Sequence, residues 1–174
     1  LSRMNRKRLD AESLKDTLLW HDGQVSRALV GAWGSSKRSL FSAPTRSAPD
    51  PFLSLFDGPD PHLVVPRRVD STSAPQSLFM MNNPMVQSTA KSIVARLLKT
   101  GGNDGVMVEA LYLRLVGRPP TAKEQRLAVQ TLGEARDVRR RLAKAGQKAE
   151  GGREGSWEDL CMVLLCGNEF IYVD

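Results

Sequence analysis

The sequence predicts a mainly α-helical fold: a single helical domain of five to seven helices, a Pro-rich irregular segment packed across them, and at most a small two-stranded β element. Three observations predict it. Apolar residues recur at i, i+3/i+4 through the second half of the chain. Ser73, Asn103 or Asp104, and Thr121 stand as caps just before such patterns. Six of the ten prolines fall in residues 37–71: Pro44, Pro49, Pro51, Pro59, Pro61 and Pro66. The 174 residues (1–174) make roughly one domain, with enough chain to bury a core without metal or disulfide.

Residues 3–20 read as a helix, with Met4, Leu9, Ala11, Leu14 and Leu18 on its apolar side. Arg6–Asp10 and Arg8–Glu12 are spaced as i,i+4 ion pairs on it. His21-Asp22-Gly23 closes it, and residues 23–36 are a loop with a helical turn around Val25–Val30 and Trp33 as an anchor. Arg38-Ser39-Leu40-Phe41 and Leu63-Val64-Val65 have strand composition. Between them, Asp50 caps a short helix that ends at Asp57-Gly58.

Ser73 caps the next helix, with Pro75 in its first turn. Leu78, Phe79, Met80 and Met81 make that helix apolar nearly all round, which predicts burial. Asn82-Asn83 before Pro84 ends it, because the residue before proline avoids the helical region. A helix restarts there, with Met85, Val86, Thr89, Ile93, Leu97 and Leu98 as its stripe and Gly101-Gly102 as its stop. From Val106 to Val116 apolar residues are dense enough to predict burial on most sides. Thr121-x-x-Glu124 is a capping box opening an amphipathic helix with Ala128, Leu132, Ala135, Val138 and Leu142 inward. Arg136, Arg139, Arg140 and Arg141 are placed in water. Residues 145–155 read as a flexible loop, and Ser156 as the cap of a last helix burying Leu160, Val163, Leu164 and Phe170.

The net charge of +6 sits in the first half: residues 1–100 carry 14 Lys+Arg against 8 Asp+Glu, and residues 101–174 carry 11 against 11. A basic face could attract nucleic acid, anionic glycan or acidic protein. Solvated or salt-bridged cations are the commoner use, and no aromatic residues interleave to stack bases, so nucleic acid is disfavoured. No apolar run approaches the roughly 18 residues of a membrane span. Cys161 and Cys166, on one helix, stand about 7.5 Å apart along the axis and about 140° around it, too far and badly aimed for a disulfide.

Catalytic and cofactor motifs are sparse. Two histidines, His21 and His62, without His-x-x-x-His or Cys-x-x-Cys, argue against zinc. No Cys-x-x-Cys-His occurs, so no cofactor is expected in this chain, c-type haem included. There is no nucleophile elbow and no glycine-rich phosphate loop. Asp57 and Asp60 in Asp-Gly-Pro-Asp-Pro are weak carboxylate candidates for acid/base work or calcium; such spacing usually makes turns. Arg67 and Arg68, with Arg46, could clamp a carboxylate or sulfate, or bridge the irregular segment to a helix C-terminus.

Several strings occur together: Arg6-Lys7-Arg8-Leu9-Asp10-Ala11-Glu12, Pro51-Phe52-Leu53-Ser54-Leu55-Phe56-Asp57-Gly58-Pro59-Asp60, and the run Ser73 to Pro84 (SAPQSLFMMNNP). Leu115-Val116-Gly117-Arg118-Pro119-Pro120-Thr121 and Asn168 to Asp174 (NEFIYVD) follow in order. Together they resemble the planctomycete-type domain of unknown function fifteen-fifty-three over nearly the whole chain. Residues 21–36 depart from it, where a different Gly-rich segment is expected. The resemblance implies a C-terminal module of large secreted or surface proteins that carry a cytochrome-c-like domain, and hence haem, elsewhere. It implies an extracytoplasmic location and a fragment lacking the family's first part, which agrees with a start at Leu1 inside a charged helical pattern. It supplies no catalytic residues.

Three readings follow. The first is a non-catalytic interaction or scaffold module, contacting other domains of its own polypeptide and an anionic glycan or protein. The second is a glycan-active or hydrolase-like enzyme joining Asp57, Asp60, Arg67 and Arg68 at a cleft. The third is a nucleic-acid-binding domain.

Overall fold

The structure, a computed structural model, describes residues 6–23, 25, 38–39, 50–60, 62, 64, 66–68, 71–146 and 152–173. The elements run β1 (Lys7–Arg8), α1 (Ala11–Asp22), α2 (Pro51–Leu55), α3 (Ala74–Asn82), α4 (Pro84–Thr100) and α5 (Asp104–Leu115). There follow α6 (Ala122–Lys144), α7 (Gly152–Leu165), α8 (Asn168–Ile171) and β2 (Tyr172–Val173). The fold is mainly α. Among the described residues, strand pairing is confined to β1 and β2, antiparallel, with Lys7 opposite Val173 and Arg8 opposite Tyr172. No described helix is long and apolar enough to cross a membrane.

The chain divides into two compact units, Leu1–Thr89 with Ile171–Asp174, and Ala90–Phe170. In the first unit α1 packs on α2. Asp50 accepts from Phe52 N–H at 2.8 Å and caps α2. That sets Phe52 and Phe56 one turn apart with rings stacked at 4.7 Å. Phe79 of α3 meets both edge-on, at 5.3 and 5.7 Å. Leu14, Leu18, Met80 and Val86 are fully buried in the same unit. Lys15 and Asp50, both nearly buried, pair at 2.5 Å.

In the second unit α5, α6 and α7 pack pairwise on one another. Asn103 caps α5 by accepting from Val106 N–H at 2.9 Å. The Thr121–Glu124 capping box opens α6, as its sequence predicts. Met107, Leu111, Leu132, Trp157, Cys161 and Leu165 are fully buried. Cys161 and Cys166 are free thiols, and burial pushes the Cys161 thiol up to about 12.

Several expectations change. The first helix begins at Ala11, because Arg8 and Lys7 are taken into the strand against Tyr172 and Val173. Arg8 therefore pairs with Asp57, and Glu12 pairs with Arg68 instead of Arg8. The helix α3 is not buried all round: Leu78 and Met81 are each 57% exposed, while Met80 and Gln76 face inward. Helix α5 buries one face only, leaving Val106 and Leu113 exposed, and α6 leaves Val138 and Leu142 exposed. The expected loop at 145–155 is shorter, since α7 starts at Gly152; residues 147–151 lie outside the described residues. Ser156 is not a cap but is buried in α7, its hydroxyl donating to Gly152 O at 3.1 Å. Val163 is exposed, and a bend at Cys166-Gly167 splits the last helix into α7 and α8, giving eight helices among the described residues. Trp33, residues 26–30 of the expected helical turn, and Leu40, Phe41, Leu63 and Val65 of the expected strands lie outside the described residues.

Candidate functional site

Asp57 sits at φ 58, in the left-handed region where Asp is tolerated. Gly58 follows with its N–H on Leu53 O at 2.6 Å, and a Cβ there would lie 2.8 Å from that oxygen. Only glycine fits that approach. The turn so formed aims the Asp57 carboxylate at Ser71, whose N–H donates at 2.8 Å and whose hydroxyl lies 2.9 and 2.8 Å from the two oxygens.

Arg8 completes the cluster from β1. Its Nη2 donates to Asp57 Oδ2 at 2.7 Å and to Phe56 O at 3.1 Å. Its Nη1 donates to Gln76 Oε1 at 3.0 Å and to Ser71 O. Gln76 is itself fixed: its Oε1 accepts from Ser73 N–H at 3.2 Å and its Nε2 donates to Leu55 O at 2.9 Å. The Arg8 side chain is 5% exposed and that of Asp57 23%, so the pair is largely withdrawn from water; both Arg8 Nη atoms are engaged, while its buried Nε has no acceptor among the described residues. Desolvation raises the Asp57 pKa, but the Ser71 amide, Arg8 and the Ser71 hydroxyl outweigh it and hold the carboxyl below its ordinary value. A carboxylate so engaged stays ionised and is a poor proton donor at neutral pH.

The other sequence candidates have separate surroundings. Asp60 is exposed, and its Oδ1 accepts from His62 N–H at 2.8 Å, an Asx turn. Asp57 and Asp60 thus have different partners. Arg68 forks onto Glu12 at 2.8 and 2.7 Å, which ties the irregular segment to the first turn of α1, the helix N-terminus rather than a C-terminus. Desolvation raises the Glu12 pKa, but the Arg68 hydrogen bonds leave it below its ordinary value. Arg67 is exposed. Arg46 lies outside the described residues. Among the described residues no group of three or more His, Cys, Asp or Glu is gathered to hold a metal ion.

The first unit also carries an open cleft of about 470 Å³, lined by Asp16, Thr17, Trp20, Val25 and Arg38. The Trp20 indole is 65% exposed. Asp16 is fixed by Ser39 N–H at 2.6 Å and Arg38 Nε at 3.3 Å. Sequence reasoning missed Arg8, Ser71, Gln76 and Trp20. The signal for the cluster was present, since the strings around Arg8, Asp57 and Ser73–Gln76 carry the resemblance and meet here.

A mainly helical domain whose motif residues converge on a buried ion pair is the class these observations define. Residues 1–132 match the family described as PSD1, protein of unknown function (DUF1553), and the protein belongs to that family. The strings from Arg6 to Thr121 fall in the matched span, and the closing string from Asn168 lies beyond it. No curated protein and no solved structure matches the chain.

Proposed function

We propose that the chain is a non-catalytic interaction or scaffold module of a secreted or cell-surface multidomain protein. It acts beside a cytochrome-c-like domain, which carries the haem, and on a partner that is an anionic polysaccharide. The observation that carries this reading is the engagement of Asp57. The one carboxylate of the candidate pair that is partly withdrawn from solvent is committed to Arg8 and Ser71 as a frame. The exposed Trp20 beside Arg38 and Asp16 supplies the surface: an indole face stacks on the C–H face of a sugar, and the flanking charges bond its hydroxyl and anionic groups.

Titration of the native protein with a soluble sulfated galactan, followed by tryptophan emission, tests the contact. A saturable change that Trp20→Ala removes supports it. No change, or the same change in the variant, sinks it. Release of reducing ends by the native protein would favour the glycan-active enzyme instead. A visible absorption spectrum of the native parent polypeptide tests the context, since a haem band is expected.

A further inference from the structure

In the second unit the later part of α6 and the first turn of α7 bound a cleft of about 370 Å³. Its lining is Arg136, Arg139, Arg140, Ala143, Gly152 and Arg153, so among the described residues four guanidinium groups and no carboxylate form the wall. The carboxylates that meet these arginines are residues outside that lining. Asp104 takes Arg136 at 2.6 and 3.0 Å and stands 3.8 Å from Arg153. Asp159 takes Arg139 at 2.9 Å, and Asp137 takes Arg140 at 3.3 Å. In these pairs four arginines share three carboxylates, Asp104 serving two of them.

These pairs do not exhaust the donors. A guanidinium has five N–H groups in a planar fork suited to phosphate and sulfate. The Arg140 and Arg153 side chains are 70% and 55% exposed; Arg140 Nη1 stands 3.3 Å from Asp137, while Arg153 Nη2 donates to Met107 Sδ at 3.6 Å and lies 3.8 Å from Asp104. Arg136 Nε is buried without an acceptor. Gly152, in the first turn of the 14-residue α7, brings the positive end of a helix dipole to the same cleft. Crowding like charges costs energy that an anion recovers.

We propose that this cleft is a binding site for a tetrahedral oxyanion, the phosphate or sulfate group of a small molecule or chain end. Arg140 and Arg153 clamp it, Arg136 supports it from below, and Asp104 competes with it for Arg136 and Arg153. The cleft volume falls within the roughly 300–1,000 Å³ of small-molecule sites, so the group can be carried on a larger body.

The test is a titration of the full chain with inorganic phosphate, and in parallel with sulfate, read by amide and arginine side-chain resonances at low salt. Saturable shifts at Gly152–Gly155 and Arg136 are expected, weakening about tenfold as salt rises through the physiological range. Arg140→Gln and Arg153→Gln should each weaken binding about tenfold with the melting transition unchanged. Asp104→Asn should tighten it several-fold, a gain that damage to the fold cannot mimic. A phosphorylated and a sulfated monosaccharide then tell which group the site prefers. Absent shifts, equal affinity in the Arg140→Gln/Arg153→Gln double variant, or no gain in Asp104→Asn would overturn the site. Loss of binding in Trp20→Ala would also overturn it, because that residue belongs to the cleft of the other unit.

Discussion

Arg8 and Arg118 are each the hub of a charged hydrogen-bond cluster, one in each unit. Arg8 is 5% exposed and reaches residues 48 to 68 positions away. Arg118 is 36% exposed, forks onto Glu124 at 3.0 and 2.8 Å and onto Glu169 at 3.0 and 2.8 Å, and lies 5.9 Å over the Tyr112 ring. Similar bond counts perform different work. Around Arg8 most water is excluded, so each partner depends on the others. Around Arg118 water and salt can replace a lost partner.

Removing the buried hub should have the largest effect. Arg8→Met keeps the length of the stem and removes one donor each from Asp57, Gln76 and the Phe56 and Ser71 carbonyls. A loss of about 3 kcal/mol in urea unfolding is expected, little changed by salt. A loss under about 1 kcal/mol would put the two hubs in one class.

Asp57→Asn comes next, at about 1–2 kcal/mol, since Asn tolerates the left-handed backbone and keeps an acceptor for Ser71. It also changes the acid limb. The Asp57 pKa is lowered by folding, so its stabilisation is full above the unfolded value of about 3.9 and is lost as pH falls through the lower native value. The variant should lack that part of the pH dependence, and an unaltered acid limb would count against the clamp.

Arg118→Gln should cost about 0.5–1 kcal/mol at low salt and much less at high salt, which sharpens the contrast with Arg8. Its partner Glu124 is held at about 2 by Arg118 first and by the Thr121 amide and hydroxyl after it. Its contribution is therefore present above the ordinary value of about 4.3 and fades towards pH 2, and screening limits it to about 1 kcal/mol. Glu124→Gln should flatten that window. Trp20→Ala is the smallest change: its indole is 65% exposed, and unfolding should shift by less than about 0.5 kcal/mol while the proposed glycan contact is lost.

The two hubs also differ in what the sequence discloses. The Thr121–Glu124 box, the Asp50 and Asn103 caps, the Asn83-Pro84 break and the Gly101-Gly102 stop are local, so they could be read directly from neighbouring residues. Arg8 could not. Its i,i+4 spacing to Glu12 imitates a helical pair, and the strand that claims it is built with Tyr172. Exposure on α3 and α6 was illegible for the same reason. Periodicity marks an apolar face but not whether a neighbour arrives to cover Leu78 or Leu142. The arginines at 136, 139 and 140 read as an ordinary wet face, because Arg153 stands opposite them only in the folded unit.

The pairing of Arg8 with Tyr172 has a bearing on how the chain is made. Residues 90–170 form one uninterrupted unit, whereas the first unit needs residues 171–173 to complete its sheet and its Leu9–Ile171 and Thr72–Tyr172 bonds. Closing a contact of such separation is entropically slow. During synthesis the Arg8 strand must wait, its partner not yet translated, until nearly the last of these residues leaves the ribosome.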